Sequence, residues 1–165
     1  MQRDKIMSMP TNINITEATS QEDHIIAEHF YRMWQDIGVP AASIESNSLE
    51  ITIDFIKNAR LYLNYQAFFA KVNNTIIGSV SCQLFAGLYP QILKHEYRKY
   101  GYIWGVYIEP DYRRQGIAKK LMAEAIAHLK SIGCTKAILH ASPQGKFLYS
   151  QLDFDKSNEM RLDLY

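Results

Sequence analysis

Apolar residues recur with two different periods along the 165-residue chain. A two-residue period is typical of strands, and a period of three to four residues is typical of amphipathic helices. The strand period occurs first over residues 12–18. Two stretches with the helix period follow, one ending at Gly38 and one running from about Ser48 to Arg60. The first third of the chain is therefore predicted to be one strand and two helices.

A β-hairpin is predicted next. Residues 65–72 and 76–85 are rich in β-favouring side chains, and the polar turn 73–75 separates them. Residues 91–99 show no clear period, so a loop and a short helix both remain open there. A further strand is predicted over residues 100–108, before Pro110.

The clearest helical pattern covers residues 116–131, where apolar side chains repeat on one face. A strand over 136–141, a short helix over 147–152 and a last alternating strand over 160–165 complete the order β-α-α-β-β-β-α-β-α-β. A strand, a helix and a strand in succession usually form a parallel crossover. We therefore expect an α/β fold with a mixed α+β sheet.

The bulk composition fits one domain over residues 12–165, preceded by a flexible tail over residues 1–11. The net charge of +1 gives no electrostatic reason to expect nucleic acid or an anionic membrane as a partner. Cys82 and Cys134 are interpreted as reduced core thiols, and no Cys/His spacing suggests zinc, so no metal is expected. No signal peptide or long apolar run is seen, which favours a cytoplasmic location.

The strongest chemical signal lies between the fourth predicted strand and the third predicted helix. The start of a helix carries free backbone N–H groups and the positive end of the helix dipole, which suit a phosphate or diphosphate. Gly116 and Ala118 are small enough to let an anion approach the backbone. Arg113, Arg114 and Lys119 add positive charge. An anion site is predicted here.

Two other phosphate-binding loops do not fit the sequence. The dinucleotide fingerprint G-x-G-x-x-G needs three glycines, and only Gly116 is present at this position. The loop G-x-x-x-x-G-K-[ST] is not met by Gly145–Lys146, because Phe147 follows and the first glycine is missing.

The segment Arg113–Ala118, of sequence RRQGIA, resembles the R/Q-x-x-G-x-G/A signature of GNAT acetyltransferases. This resemblance implies that the loop backbone holds the diphosphate of acetyl-CoA and that the preceding strand contacts pantetheine. The implied acetyl-CoA contacts are Val106, Tyr107, Ile108, Arg113, Arg114, Gln115, Gly116, Ile117, Ala118 and Lys119.

Residues 148–154 are similar to a second GNAT segment, Y-x-x-L-G-F. The resemblance implies that Tyr149 is the general acid that protonates the departing CoA thiolate. Asp153 replaces the usual glycine, and we expect a turn there because aspartate tolerates the left-handed conformation. Ser142 stands where many members carry an asparagine near the cofactor, and a cofactor contact is expected there.

Three side chains are candidates for the base that deprotonates an amine: Glu96, Glu109 and His140. For each, a structural or solvent-facing role remains the alternative. The resulting hypothesis is an acetyl-CoA-dependent N-acetyltransferase acting on a primary amine of a small molecule or peptide. A non-catalytic acyl-CoA-binding sensor on the same fold and an interaction module without cofactor are the alternatives. The exposed edges of the predicted sheet also leave a homodimer open.

Overall fold

A five-stranded mixed sheet forms the centre of the fold. Its strands lie side by side in chain order: β1 (Asn14–Glu17), β2 (Gln66–Val72), β3 (Thr75–Leu84), β4 (Tyr100–Ile108) and β5 (Lys136–Ile138). Neighbours are antiparallel except β4 and β5, which are parallel. This computed structural model describes residues 12–164, so the expected tail over residues 1–11 and the terminal Tyr165 lie outside the described residues.

Within residues 12–164, four α-helices accompany the sheet: α1 (Asp23–Asp36), α2 (Ser48–Tyr62), α3 (Ile117–Ser131) and α4 (Lys146–Ser150). They cover both faces, as the alternation of side chains along β2 shows. Phe69 is fully buried with α1 and α2 on one face, whereas Phe68 is buried with α3 on the other. The predicted mixed sheet and the parallel crossover through α3 are confirmed.

Local sequence explains the hairpin between β2 and β3. Asn73 and Asn74 have φ values of 48° and 65°. Two consecutive residues of positive φ make the tight turn that matches the twist of an antiparallel hairpin, and asparagine tolerates this conformation well. Val72 pairs directly with Thr75, so this two-residue loop sets the register next to the turn, and the register shifts by one residue between Ala70 and Lys71.

A β-bulge interrupts β4 and matters for the site. Tyr107 pairs with Ser79 of β3, but Ser81 pairs with Trp104, so β4 has one residue more than its partner over this stretch. Gly105 lies in the bulge with φ of 63°, a left-handed conformation that glycine adopts without strain. The bulge reverses the alternation of side chains. Ile103 and Val106 therefore both belong to the core cluster on the α3 face.

The predicted last strand is wrong for the part that the structure describes. Residues 160–164 are not a strand, and Met160, Leu162 and Leu164 are 94%, 83% and 83% exposed. Alternating apolar residues form a stable strand only where a neighbour pairs with the backbone and a core covers one face. Neither condition is met by the described segment. Residues 91–99, whose sequence is compatible with a loop or a short helix, form a loop with a turn and no helix.

Candidate active site

The parallel strands β4 and β5 form a fork. They pair over only three residues, from Tyr100 with Lys136 to Tyr102 with Ile138, and no pairing continues beyond that point in residues 12–164. The N–H of Glu109 donates to Ile77 of β3 at 2.8 Å. Because backbone groups alternate in direction along a strand, the N–H groups of Val106 and Ile108 point the other way, into the open fork.

A loop at the open end of the fork presents six consecutive backbone N–H groups. Residues 114–119 follow β4 and lead into α3, and no acceptor among residues 12–164 bonds to their N–H groups. The first N–H of α3 with a helical partner is that of Lys120, which donates to Gly116 at 3.3 Å. Arg114 and Gly116 have φ values of 59° and 76°. Left-handed residues in a loop turn successive N–H groups toward a common concavity, which is an anion-binding arrangement.

The space in front of Gly116 in this loop is open. A Cβ atom added to Gly116 would meet no atom within 4 Å, so the glycine faces open volume rather than packed protein. Ile117 is only 2% exposed and anchors the helix start in the core. The burial of Ile117 fixes where the amides at the start of α3 lie relative to the core. These residues fit the diphosphate of a CoA derivative.

The basic residues of the loop are not equivalent. Arg113 donates from Nε to the carbonyl of Ile108 at 2.8 Å and pairs with Asp36 of α1 at 2.5 Å. It is thereby committed to joining the loop to α1. Arg114 and Lys119 are exposed, and no ion pair within the described chain engages them. Within residues 113–119, they are the cations that are free to meet an anion.

Two further predicted contact residues, Gln115 and Ser142, differ in which atoms are available to hydrogen-bond to a ligand. Gln115 donates to the carbonyl of Asp111 at 3.4 Å, while its Oε1 is buried without a partner among the described residues. That oxygen can accept a bond from a donor on a ligand. Ser142 accepts a hydrogen bond from the N–H of Gly145 at 3.2 Å. Its hydroxyl oxygen is used within the turn that leads into α4, and the hydroxyl hydrogen is still free to be donated.

Tyr149 of α4 is half-buried and packs against the core cluster on the α3 face, as Val106 and Ile108 also do. Its ring meets Phe154 edge-on with a centroid distance of 6.0 Å. Burial raises the pKa of the Tyr149 hydroxyl, which therefore keeps its proton at neutral pH. No residue in the described range hydrogen-bonds to this hydroxyl. The turn expected at Asp153 is confirmed by its φ of 60°.

His140 lies just beyond β5, where the two strands separate. Its Nδ1 is 2.9 Å from the hydroxyl of Tyr102, and its Nε2 is 3.2 Å from a carboxylate oxygen of Glu159. Arg161 holds the other Glu159 oxygen at 2.5 Å, and this bond keeps the pKa of Glu159 below its usual value. Tyrosine, histidine and carboxylate thus form a connected chain at the fork.

The two other base candidates lie elsewhere. Glu109 accepts hydrogen bonds from Arg32 at 2.7 Å and from the Tyr107 hydroxyl at 3.3 Å. A carboxylate committed to two donors beneath the α1 face is poorly available as a base. Glu96 is exposed on a turn between β3 and β4 and has no hydrogen bond or ion pair with the rest of residues 12–164.

Sequence reasoning missed a buried polar cluster next to Glu109. His29 of α1 is 4% exposed, its Nδ1 is 2.8 Å from the Ser79 hydroxyl, and its ring lies 4.8 Å from that of Tyr107. Burial and the nearby Arg32 lower the pKa of His29 to about 4. Glu109 lies 3.8 Å from Nε2, but Arg32 already neutralises it. The apolar positions around His29 in α1 were the only signal that it faces the core.

Residues 12–164 contain neither a metal-binding cluster nor a membrane-spanning helix. No cluster of three or more His, Cys, Asp or Glu side chains in residues 12–164 is arranged to hold a metal ion. None of the helices described here has the length and apolar character needed to cross a bilayer.

A strand fork with a free backbone edge leads here to a helix start with free amides, an arrangement suited to an extended ligand that carries an anionic group. The model of the Acetyltransferase (GNAT) family matches residues 24–154. The chain belongs to this family, as the motif at Arg113–Ala118 predicted.

Individual relatives agree with this assignment. Glucosamine 6-phosphate N-acetyltransferase of Trypanosoma brucei brucei is 37% identical over 68 residues. That match covers 41% of this chain and 46% of the relative, so it spans about half of the relative's length.

Solved structures share the fold at low sequence identity. A GCN5-related N-acetyltransferase from Ralstonia eutropha has a TM-score of 0.78 and 18% identity over 93% of this chain and 99% of that one. A predicted acetyltransferase with acetyl-CoA from Clostridium acetobutylicum has a TM-score of 0.77 and 24% identity over 93% and 97% of the two chains.

Proposed function

We propose that this protein transfers an acetyl group from acetyl-CoA to a primary amine. The observation that carries the proposal is the row of six free N–H groups at residues 114–119, placed at the open end of the β4–β5 fork. In the reaction, a C–N bond forms and the C–S bond of the thioester breaks. The acceptor enters as an ammonium, which loses one proton before attack and a second from the same nitrogen after it, while one proton reaches the thiolate and one is released to solvent. The products are an amide and free CoA.

Binding of the cosubstrate is assigned to the loop and to β4. The amides of residues 114–119 hold the diphosphate, and Arg114 and Lys119 add charge at the surface of the site. Arg113 acts indirectly, since its pairing with Asp36 holds the loop against α1. The N–H groups of Val106 and Ile108 face the fork, where they can bond to carbonyl groups of the pantetheine arm or thioester. Such a preorganised donor stabilises the oxyanion that develops during transfer.

Deprotonation of the acceptor is assigned to His140 acting through Tyr102. A primary amine has a pKa near about 10, so it must lose a proton before attack. With the proton of neutral His140 on Nε2, Nδ1 accepts from the Tyr102 hydroxyl. The amine passes its proton to the Tyr102 oxygen while the hydroxyl proton moves to Nδ1. Glu159 then stabilises the imidazolium through Nε2.

Protonation of the leaving group is assigned to Tyr149. Its hydroxyl is protonated at neutral pH because burial raises its pKa. A thiolate that forms beside this hydroxyl can accept its proton. The resulting tyrosinate is reprotonated from solvent through the exposed side of α4.

The acceptor is an amine of a small molecule or peptide. The relative from Trypanosoma brucei brucei, by its name, acts on an amino sugar phosphate, which makes this class a first choice for a screen. The screen measures thiol release from acetyl-CoA against a panel of neutral, anionic and polycationic amines, together with direct binding of CoA. Acetyl-CoA binding with amine-dependent thiol release supports the proposal. Binding without release under any amine indicates the acyl-CoA sensor, and no CoA binding at all indicates the interaction module.

A further inference from the structure

A second concave site lies at the opposite end of β4 from the diphosphate loop. It is a cavity of about 580 Å³, a size suited to a small molecule. β4 has nine residues, so its two ends lie about 26 Å apart at about 3.3 Å per residue. The cavity is therefore separate from the loop at residues 114–119. The aromatic rings of Phe85 and Tyr100 contribute to its wall.

The charged side chains that line this cavity are all cations: Arg98, Lys136 and Lys156. No aspartate or glutamate is part of the lining, and no carboxylate within residues 12–164 forms an ion pair with any of the three. Three cations that line one cavity without a counter-ion repel one another. A bound anion removes that repulsion.

Aromatic rings hold two of these cations in place. The guanidinium of Arg98 lies 4.4 Å from the centroid of the Tyr100 ring and 5.3 Å from that of Tyr89. The ammonium of Lys136 lies 5.6 Å from the same Tyr100 ring. Stacking on a ring leaves the N–H groups of an arginine free along its edge, where a phosphate or carboxylate can accept two bonds. The site is thus partly organised before any ligand arrives.

The cavity adjoins the atoms that would perform the reaction. Ile138 lines it and pairs with Tyr102, whose hydroxyl contacts His140. Along β4, Tyr102 lies three residues, or about 10 Å, before Gly105, the bulge residue that precedes Val106. A molecule with its amine at the Tyr102–His140 pair and its other end in the cavity bridges the two positions.

We infer that the acceptor amine carries an anionic group, a phosphate or a carboxylate, which Arg98, Lys136 and Lys156 bind. This inference rests on the proposed acetyl transfer and narrows its acceptor. It excludes polyamines and aminoglycosides as preferred acceptors, because their additional positive charges would meet three cations. It favours amino acids and amines that bear a phosphate.

A series of amines with one carbon skeleton tests the inference on the full chain. Hexylamine is neutral at its far end, aminohexanoate and aminohexyl phosphate are anionic there, and diaminohexane is cationic. The KM of each amine for CoA release is measured at saturating acetyl-CoA. We expect a KM at least about tenfold lower for the anionic members than for hexylamine, as one charge-assisted contact provides. A preference for the phosphate or for the carboxylate identifies the anion.

Matched variants distinguish an effect of the cavity cations from an effect of the net charge of the protein. Lys136→Gln/Lys156→Gln should remove the preference for anionic amines, as should Arg98→Gln. Lys57→Gln/Lys130→Gln removes the same amount of charge from surfaces away from the cavity, and this variant should retain the preference for anionic amines. Equal KM values across the series, or a preference for diaminohexane, would overturn the inference while leaving acetyl transfer intact.

A binding measurement covers the case in which no amine is acetylated. The melting temperature of the CoA-bound protein is measured with increasing aminohexyl phosphate. A rise in the wild type that is lost in Lys136→Gln/Lys156→Gln supports the anion site even if the proposed transfer fails. No rise in the wild type contradicts it, whatever the activity.

Discussion

The hydroxyl of Tyr102 lies 2.9 Å from Nδ1 of His140, so a β4 side chain meets a residue just past β5 at the point where the two strands separate. The parallel register brings these residues together, because Tyr102 pairs with Ile138 two positions before the histidine. The contact places a titratable group at the mouth of the fork. It also links that group to Glu159, which is paired with Arg161.

This relationship predicts the effect of removing either member. His140→Gln and Tyr102→Phe should each lower kcat/KM by about 10²-fold, within the range that general bases supply. The double variant should lose little more than either single variant, since the two residues act as one unit. Glu96→Gln, on an exposed turn, should keep full activity. Additive losses in the double variant would show that the two side chains act separately.

Tyr149→Phe should lower kcat by about 10²-fold with little change in the dissociation constant of acetyl-CoA. The lost hydroxyl has no hydrogen bond within the described chain, so the free energy of unfolding should change little. Tyr65→Phe is the matched control, because the Tyr65 hydroxyl is buried and bonded to Ser81 at 2.8 Å. It should lower stability by about 1 kcal/mol and keep kcat. Unchanged turnover in Tyr149→Phe would remove this residue from the mechanism.

Gly116→Ala should weaken binding of CoA by about 10- to 100-fold, because a Cβ in front of the amides breaks charge-assisted hydrogen bonds to the diphosphate. The substitution also strains the backbone, since φ is 76°. Gly38→Ala controls for that strain: its φ is 91°, and its Cβ would likewise meet nothing within 4 Å. Both variants should lose about 1 kcal/mol of stability. Isothermal titration with CoA should distinguish them, and equal affinities would contradict the placement of the diphosphate.

The buried His29 predicts a fall in stability on acidification. Its pKa is about 4 in the folded protein, below the ordinary value of 6.5, so the unfolded chain binds a proton first as the pH drops. Neutral His29 therefore contributes about 3 kcal/mol to the free energy of unfolding. This contribution is fully present above pH 6.5 and is lost as the pH falls from there to about 4. In His29→Gln, the free energy of unfolding measured with urea should depend less on pH over this range. Substitution of the exposed His24 by glutamine should leave the pH dependence as in the wild type. The same slope in His29→Gln and wild type would show that another group carries it.

The sequence alone predicted most of the scaffold, for a physical reason that the helix α3 illustrates. Ile117 and Leu121 are among the apolar residues of its inner face, and both are buried as the helical period requires. The positive φ of Asp153 was likewise predictable, because few residues other than glycine tolerate that turn. Such features depend on a few adjacent residues.

Features that depend on a partner elsewhere in the chain were not predictable. The pattern of Met160 and Leu164 fits a strand, but whether a neighbouring strand is available cannot be read from the segment itself. Gly105 gives only a weak hint of a bulge, since a glycine in a strand also occurs where backbones approach closely. The pairing of Tyr102 with His140 needs the register of β4 and β5. Pairing of distant residues is set by the whole sheet.

A crystal structure of the protein with bound CoA tests the central claim most directly. The account predicts diphosphate oxygens within about 3 Å of several N–H groups of residues 114–119, with the pantetheine arm lying in the fork beside Val106. A diphosphate bound elsewhere on the molecule, with those six amides still facing solvent, would contradict it.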